Sequence, residues 1–171
     1  RWIVKIQEDI KGLTRDTYLA NIAVTYQIVL SPEDGANNFR HAIAKTQPYK
    51  GNRIDIPRPY YFKEAREHLI QQHKARVTKD QEADDELGIR QCSGFETVIC
   101  STDKDLKTIP GWNYNWDTNG LTKVTEWDAE YNFYYQMLCG DACDNVRGVH
   151  KIGPINAAKL LSSVREPKEM L

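Results

Sequence analysis

The chain has 171 residues, 40% hydrophobic and 27% charged, which suits one globular domain with a core or a compact domain built in two lobes. No stretch approaches the roughly 18 apolar residues of a membrane span, and the first residues do not read as a signal peptide. A net charge of −1 hides a segregation: ten Lys or Arg face three acids over 40–79, and four face fourteen over 80–145. Residues 146–171 are basic again. A basic–acidic–basic order is what a protein needs to grip phosphates on both sides of a metal site. Cys92, Cys100, Cys139 and Cys143 lack paired CxxC spacing and a histidine pair nearby. Zinc is therefore disfavoured, and reduced thiols in a cytoplasm are the plain reading.

In chain order, Ile3 to Tyr18 has a mixed apolar period that predicts a helix. Ile22 to Leu30 is β-branched and aromatic and predicts a buried strand, stopped by Ser31-Pro32-Glu33-Asp34-Gly35. Residues 40–59 are basic and broken by Pro48, Gly51, Pro57 and Pro59, which predicts loop or short helices. Tyr60 to His73 has apolar positions spaced for an amphipathic helix. Ala75 to Thr78 predicts a short strand, and Ala83 to Cys92 a helix. Phe95 to Cys100 is a second predicted buried strand, running into Ser101-Thr102-Asp103. Asp105 to Ile109 reads as a short helix, Trp112 to Thr125 as a hairpin or irregular excursion, and Glu130 to Cys139 as a helix. Gly148 to Gly153 is a predicted turn between two helices, with Pro154 at the first position of the second, Pro154 to Val164. Strands alternating with helices predict an α/β fold with a mainly parallel central sheet, flanked by helices and helical at its C-terminal end.

Three acidic groups stand at the ends of these elements: Glu82, Asp84 and Asp85 before a helix, Asp103 and Asp105 after a strand, Asp141 and Asp144 after a helix. Loops at the carboxyl ends of parallel strands converge on one crevice, so the groups can meet. Close carboxylates repel unless cations neutralise them, and oxygen-only donors suit magnesium or manganese. Two such ions about 3.5–4 Å apart serve phosphodiester hydrolysis, one lowering the pKa of water and the other stabilising the leaving oxygen. For any one group alone, helix capping or solvation is the commoner use of such acids. An EF-hand is excluded, because Asp103-Lys104-Asp105 lacks the third acidic ligand and the glycine that loop requires.

The sharpest motif runs from Gly140-Asp141 through Asp144-Asn145 to Gly153-Pro154. Gly148 and Gly153 are expected to supply unusual φ angles and a close backbone approach to a ligand. The helix after Pro154 offers unpaired N–H groups to a phosphate, and Arg147, Lys151 and Lys159 add charge without sequence readout.

Taken together, the EADD of Glu82–Asp85, the STDKDL of Ser101–Leu106 and the GDACDNVRGVHKIG of Gly140–Gly153 resemble three signature blocks of the phage and bacterial 5′-3′ exonucleases and flap endonucleases. A fourth block, NFRHAIAKTQPYKGNR from Asn38 to Arg53, resembles the segment leading into that family's helical arch. The resemblance covers roughly residues 25–165. It implies a PIN-like nuclease domain over 1–139, with a basic arch segment at 38–60. Residues 140–171 would form a helix–three-turn–helix DNA-binding region. It implies Glu82 and Asp84 as ligands of a first metal, Asp85 assisting or bridging, and Asp103, Asp105, Asp141 and Asp144 around a second. Asp34 matches the aspartate after the second strand, with Glu33 as a competing alignment. Tyr49, Lys50 and Arg53 resemble the residues that handle the scissile phosphate, Lys50 by charge and Tyr49 by stacking on a terminal base. The implied DNA contacts are Arg40, Arg147, Gly148, Val149, Lys151, Ile152, Gly153 and Lys159.

The family resemblance thus predicts a metal-dependent 5′-3′ exonuclease or flap endonuclease of phage replication or recombination, working in a host bacterial cytoplasm. The expected cofactors are two Mg2+ ions, with Mn2+ able to substitute, and a K+ ion at the helix–three-turn–helix. The expected partner is DNA with a 5′ end, nick or flap, or an RNA–DNA hybrid, bound by a monomer with no membrane involvement. Family members open with a hydrophobic strand ending in an aspartate. Nothing before Ile22 matches it, which puts that strand upstream of Arg1 or makes it absent. A lysine common in the family five residues before the Gly-Asp aspartate is replaced here by Gln136. The rival reading is a non-catalytic DNA-binding module that keeps the fold and the phosphate grip.

Overall fold

The computed structural model describes residues 2–13, 25–33, 38–53, 56–94 and 96–164. Helix α1 (Trp2–Leu13) occupies the opening stretch of the predicted Ile3–Tyr18 helix; the remainder of that prediction lies outside the described residues. β1 is Val29–Leu30 alone, and residues 25–30 are exposed or half-buried. The long buried strand expected over Ile22–Leu30 is therefore corrected where it is described: the ladder can be no longer than its partner. That partner, β2 (Arg76–Val77), lies parallel to it and is confined between left-handed residues Lys74 (φ 52) and Asp80 (φ 60).

Between β1 and β2 the chain forms α2 (Phe39–Ile43), a 3-10 turn (Gly51–Arg53) and α3 (Phe62–His73). After β2 come α4 (Ala83–Gln91) and β3 (Val98–Cys100). β3 runs parallel to β4 (Gly111–Asn115), with Ile99 opposite Asn113. β4 turns back into β5 (Gly120–Val124), the predicted hairpin, where Asn115 Oδ1 accepts the amides of Asp117 (2.9 Å) and Thr118 (3.3 Å). Both crossover pairings among the described strands are thus parallel, and helices separate them, as an α/β fold requires.

Helix α5 (Glu126–Cys139) starts earlier than the apolar period suggested, because Thr125 and Asp128 form a reciprocal cap. Thr125 Oγ1 accepts the Asp128 amide at 3.1 Å, and Asp128 Oδ2 accepts the Thr125 amide at 3.0 Å. A short antiparallel pair, β6 (Gly140–Asp141) with β7 (Val146–Arg147), follows directly, and α6 (Pro154–Leu161) packs on α5. The core sits under the β3–β4–β5 sheet, with Ile99, Leu106, Tyr114, Val124, Ala129, Ala157 and Leu161 buried. Tyr114 is fully enclosed, and its hydroxyl donates to Asp9 Oδ2 at 2.8 Å, fastening α1 to the sheet. Among the described residues no helix is long and apolar enough to cross a membrane.

Candidate active site

The acidic groups are aimed by ordinary local chemistry. Glu82 sits at the N-cap of α4, and its amide donates to Asp85 Oδ2 at 2.9 Å. That turn projects Glu82, Asp84 and Asp85 together from one end of the helix. After β3, Ser101 Oγ accepts the Asp103 amide and Asp103 Oδ1 accepts the Asp105 amide, both at 3.0 Å. These bonds start the 3-10 turn Asp105–Thr108, whose Asp105 and buried Leu106 both line a cavity. Asp141 ends β6, and its Oδ1 accepts the Cys143 amide at 2.8 Å, bending the loop that carries Asp144.

A cavity of about 880 Å³ gathers Glu82, Asp84, Asp85, Asp105, Asp141 and Asp144 on one side, with Arg40 and Tyr49 among them. Ile43, Ile109, Phe133, Met137 and Val146 line it elsewhere. Asp103 stays exposed outside this lining, near enough for its charge to act on Asp84 and Asp105. Asp34 lies outside the described residues. Its competitor Glu33 is exposed, and its backbone carbonyl accepts from the Arg58 guanidinium at 2.5 Å.

The basic segment meets this cavity through the turn at 48–53. Lys50 Nζ lies 2.6 Å from Glu82 Oε1 and 3.8 Å from Asp144 Oδ1, and Arg53 lies 3.1 Å from Asp144. The buried Tyr49 hydroxyl is placed on both Glu82 (2.9 Å) and Asp144 (3.0 Å). Burial first, then these carboxylates, raise its pKa well above that of a free phenol, so Tyr49 keeps its proton and acts as a donor. Arg40, expected on DNA, grips Asp85 here with two bonds of 2.7 Å in the absence of DNA. That pairing lowers the Asp85 pKa and raises that of Arg40.

Asp84 has a different environment. Among the described residues nothing donates a hydrogen bond to its half-buried carboxylate. Burial, then the charges of Asp103 and Glu82, push its pKa up to about 6. Asp105 is likewise raised by burial and by Asp103 and Asp141, although Gln136 Nε2 donates to it at 2.6 Å. Asp141 is lowered: burial opposes ionisation there, but the Cys143 amide and Lys104, at 3.4 Å, outweigh it. An unpartnered carboxylate among like charges fits a hard divalent cation in its donor chemistry. In the side-chain positions present, no three His, Cys, Asp or Glu among the described residues converge to hold an ion. Glu82, Asp85, Asp141 and Asp144 lean on Lys50, Arg40, Lys104 and Arg53 instead.

The Gly148–Gly153 region differs in detail from the sequence expectation. Helix α5 ends at Cys139, and the β6–β7 pair intervenes before the turn. The unusual φ angles expected at Gly148 and Gly153 fall instead on Gly140 (φ 74), Asn145 (φ 60) and Lys151 (φ 64). Gly148 is required for contact: a Cβ there would overlap the backbone of Cys139 and Gly140, while Gly153 has nothing within 4 Å. The Val149 amide donates to Leu138 O (2.8 Å) and the Ile152 amide to Val149 O (3.0 Å), so both shape the turn. Lys151 and Lys159 are exposed; Arg147 is turned to Gln47, whose side-chain oxygen accepts from its Nε and Nη2 at 2.8 Å each.

Sequence reasoning quoted the blocks that contain Gln47, Asn52, Lys104 and Asn145 without giving these residues a role, and saw in Gln136 only the replacement of a lysine. Lys104 could have been flagged, since it stands between two candidate ligands. The neutral amides carry no spacing signal at all.

No protein-family model matches the chain. It is 30% identical over 130 residues to the exonuclease of Escherichia phage T7, covering 71% of this chain and 43% of that protein. It is 31% identical over 131 residues to the exodeoxyribonuclease of Enterobacteria phage T3, covering 71% and 42%. The match thus spans less than half the length of either relative. Among solved structures, the phage T5 5′-exonuclease with bound zinc superposes with a TM-score of 0.60 at 18% identity, covering 94% of this chain and 66% of that one. The bacteriophage T5 flap endonuclease, in a pseudo-enzyme–product complex with DNA and metal ions, gives 0.58 at 18%, covering 90% and 65%. That likeness establishes the shared fold, an α/β fold of the PIN-like class. With phage exonucleases matched over 71% of its length and the fold held in common with the T5 enzyme, this chain resembles the phage 5′-3′ exonucleases.

Proposed function

We propose that this chain hydrolyses DNA phosphodiesters at 5′ ends, nicks or flaps, in phage replication or recombination, with magnesium ions for which manganese can substitute. One observation carries the reading: acids from 82–85, 105 and 141–144 line one cavity, in which Asp84 has no hydrogen-bond donor among the described residues and a pKa pushed up to about 6. Glu82, Asp84, Asp105, Asp141 and Asp144 are the residues that would hold two ions, with Asp103 at the margin. Asp85, gripped by Arg40 on both oxygens, supports the helix end instead. Such ions supply a water nucleophile of lowered pKa and neutralise charge at the leaving oxygen. Lys50 and Arg53 stand where a scissile phosphate enters and offset its growing charge, and Tyr49 donates its retained proton as a hydrogen bond.

In the same reading, residues 140–171 hold the duplex backbone through Lys151, Lys159 and the amides around Gly153, with Arg147, Gly148, Val149 and Ile152 shaping the contact. A potassium ion at that turn, an RNA–DNA hybrid as alternative substrate and a monomeric state belong to it too. The test is incubation with 5′-labelled flap, nicked and blunt duplexes, with magnesium or with EDTA. Cleavage should require magnesium, and Asp84→Ala should abolish it while DNA binding persists. Cutting at the unaltered rate by that variant would sink the metal assignment.

A second reading, a DNA-binding module without turnover, draws on the lack of a converged ligand set among the described residues. It predicts binding to the same duplexes with no product under either condition.

A further inference from the structure

Residues 47–53 and 142–147 are fastened together by bonds that neither an acidic pocket nor a duplex grip demands. The Lys50 amide donates to Asp144 O at 3.1 Å. Asn145, left-handed at φ 60, donates from Nδ2 to Pro48 O at 2.9 Å. Asn52 Nδ2 donates to Ala142 O at 2.7 Å. Gln47, oriented to accept from Arg147, donates its amide nitrogen to Asn145. The turn bearing Tyr49 and Lys50 is thereby tied to the loop bearing Asp141 and Asp144.

Two physical points separate these bonds from the ion pairs nearby. Lys50, Arg53 and Tyr49 touch Glu82 and Asp144, contacts that an arriving phosphate or cation competes for directly. Amide-to-carbonyl bonds involve no group that competes for substrate, so they persist while the pairs exchange. Lys50 itself has φ 53, a backbone strain that lasts only where the surroundings over-determine it.

We infer that Asn145 and Asn52 are positioning residues: their side-chain amides pin the 48–53 turn to the 141–147 loop and so fix Tyr49 and Lys50 against the acidic cavity. The inference rests on the nuclease reading and deepens it. It assigns no contact with substrate to either asparagine.

The test uses the chain with Asn145→Gly, Asn52→Ala and both together. Glycine tolerates the left-handed backbone while losing the whole side chain, including the Oδ1 that Gln47 donates to, so the first variant should keep the local turn. On a 5′-labelled nicked duplex with magnesium, kcat should fall roughly ten- to hundredfold for the double variant, with KM within about threefold. Hydrogen exchange at the Lys50, Gly51 and Arg53 amides should speed up while α4 and α5 keep their rates. Unchanged kcat with unchanged exchange in the double variant overturns the inference. So does faster exchange spread over the whole chain with kcat and KM changed together, which would mark a merely structural role. If the unaltered chain binds DNA but never cleaves it, the nuclease reading fails by itself. The exchange pattern then decides the tether alone, local acceleration supporting it and none refuting it.

Discussion

Asp84 is half-buried and acted on by the like charges of Asp103, Glu82 and Asp85, which the single nearby cation Lys50 offsets only in part. Its folded-state pKa, about 6, lies above the ordinary carboxylate value, so the folded chain binds this proton more tightly than the unfolded chain. The charged form therefore opposes folding above pH 6, and the penalty shrinks as pH falls through 6 and vanishes near the unfolded value of about 4. Without divalent cations, Asp84→Asn should raise stability by about 1–2 kcal/mol at pH 8, after discounting for partial solvent access. The gain should close by about pH 4 in urea unfolding. An equal gain at both ends would contradict the repulsion. Divalent cation affinity should likewise weaken as pH drops through 6, because the proton and the cation compete for one carboxylate. The acids themselves were legible in sequence, since they stand at element ends in unusual density. Their individual partners were not: the pairing of Arg40 with Asp85 depends on where α2 lies against α4, which no local pattern encodes.

Elements were legible where periodicity or punctuation is strong. The Tyr60–His73 helix, the Ala83–Cys92 helix and the Trp112–Thr125 hairpin all appear within a residue or two of expectation. The Ile22–Leu30 strand misled, because β-branched composition reports willingness to pair and says nothing of how long a partner is offered. The glycine-rich turn was legible as a turn, and its glycines had different uses from those expected. Gly148→Ala should destabilise by about 3 kcal/mol or more, since the new methyl must push into the backbone of Cys139 and Gly140. Gly153→Ala, at φ −97 with open space around it, should change stability by no more than about 0.5 kcal/mol. Thermal unfolding of the two variants side by side distinguishes these outcomes; equal effects would reject the packing account.

Across the whole molecule, the acidic centre is bordered by a basic segment before it and basic residues after it, and this order was visible in the sequence alone. It makes a definite demand on binding: Lys151→Ala should weaken affinity for all DNA sequences alike and lower the salt slope by about one. A loss confined to particular sequences, measured by anisotropy across a salt series, would exclude a backbone contact. The cavity also has a history in time as well as a place in space. Tyr49 and its partner Asp144 are 95 positions apart, and Asn145 and Pro48 are 97 apart. Emerging from a ribosome, the chain carries the turn bearing Tyr49 and Lys50 long before the loop bearing Asp141 and Asp144 exists. Closing so wide a loop is entropically costly and late. A half-made polypeptide has no assembled cavity with which to attack nucleic acid nearby, so any cutting ability must wait until synthesis has passed residue 145.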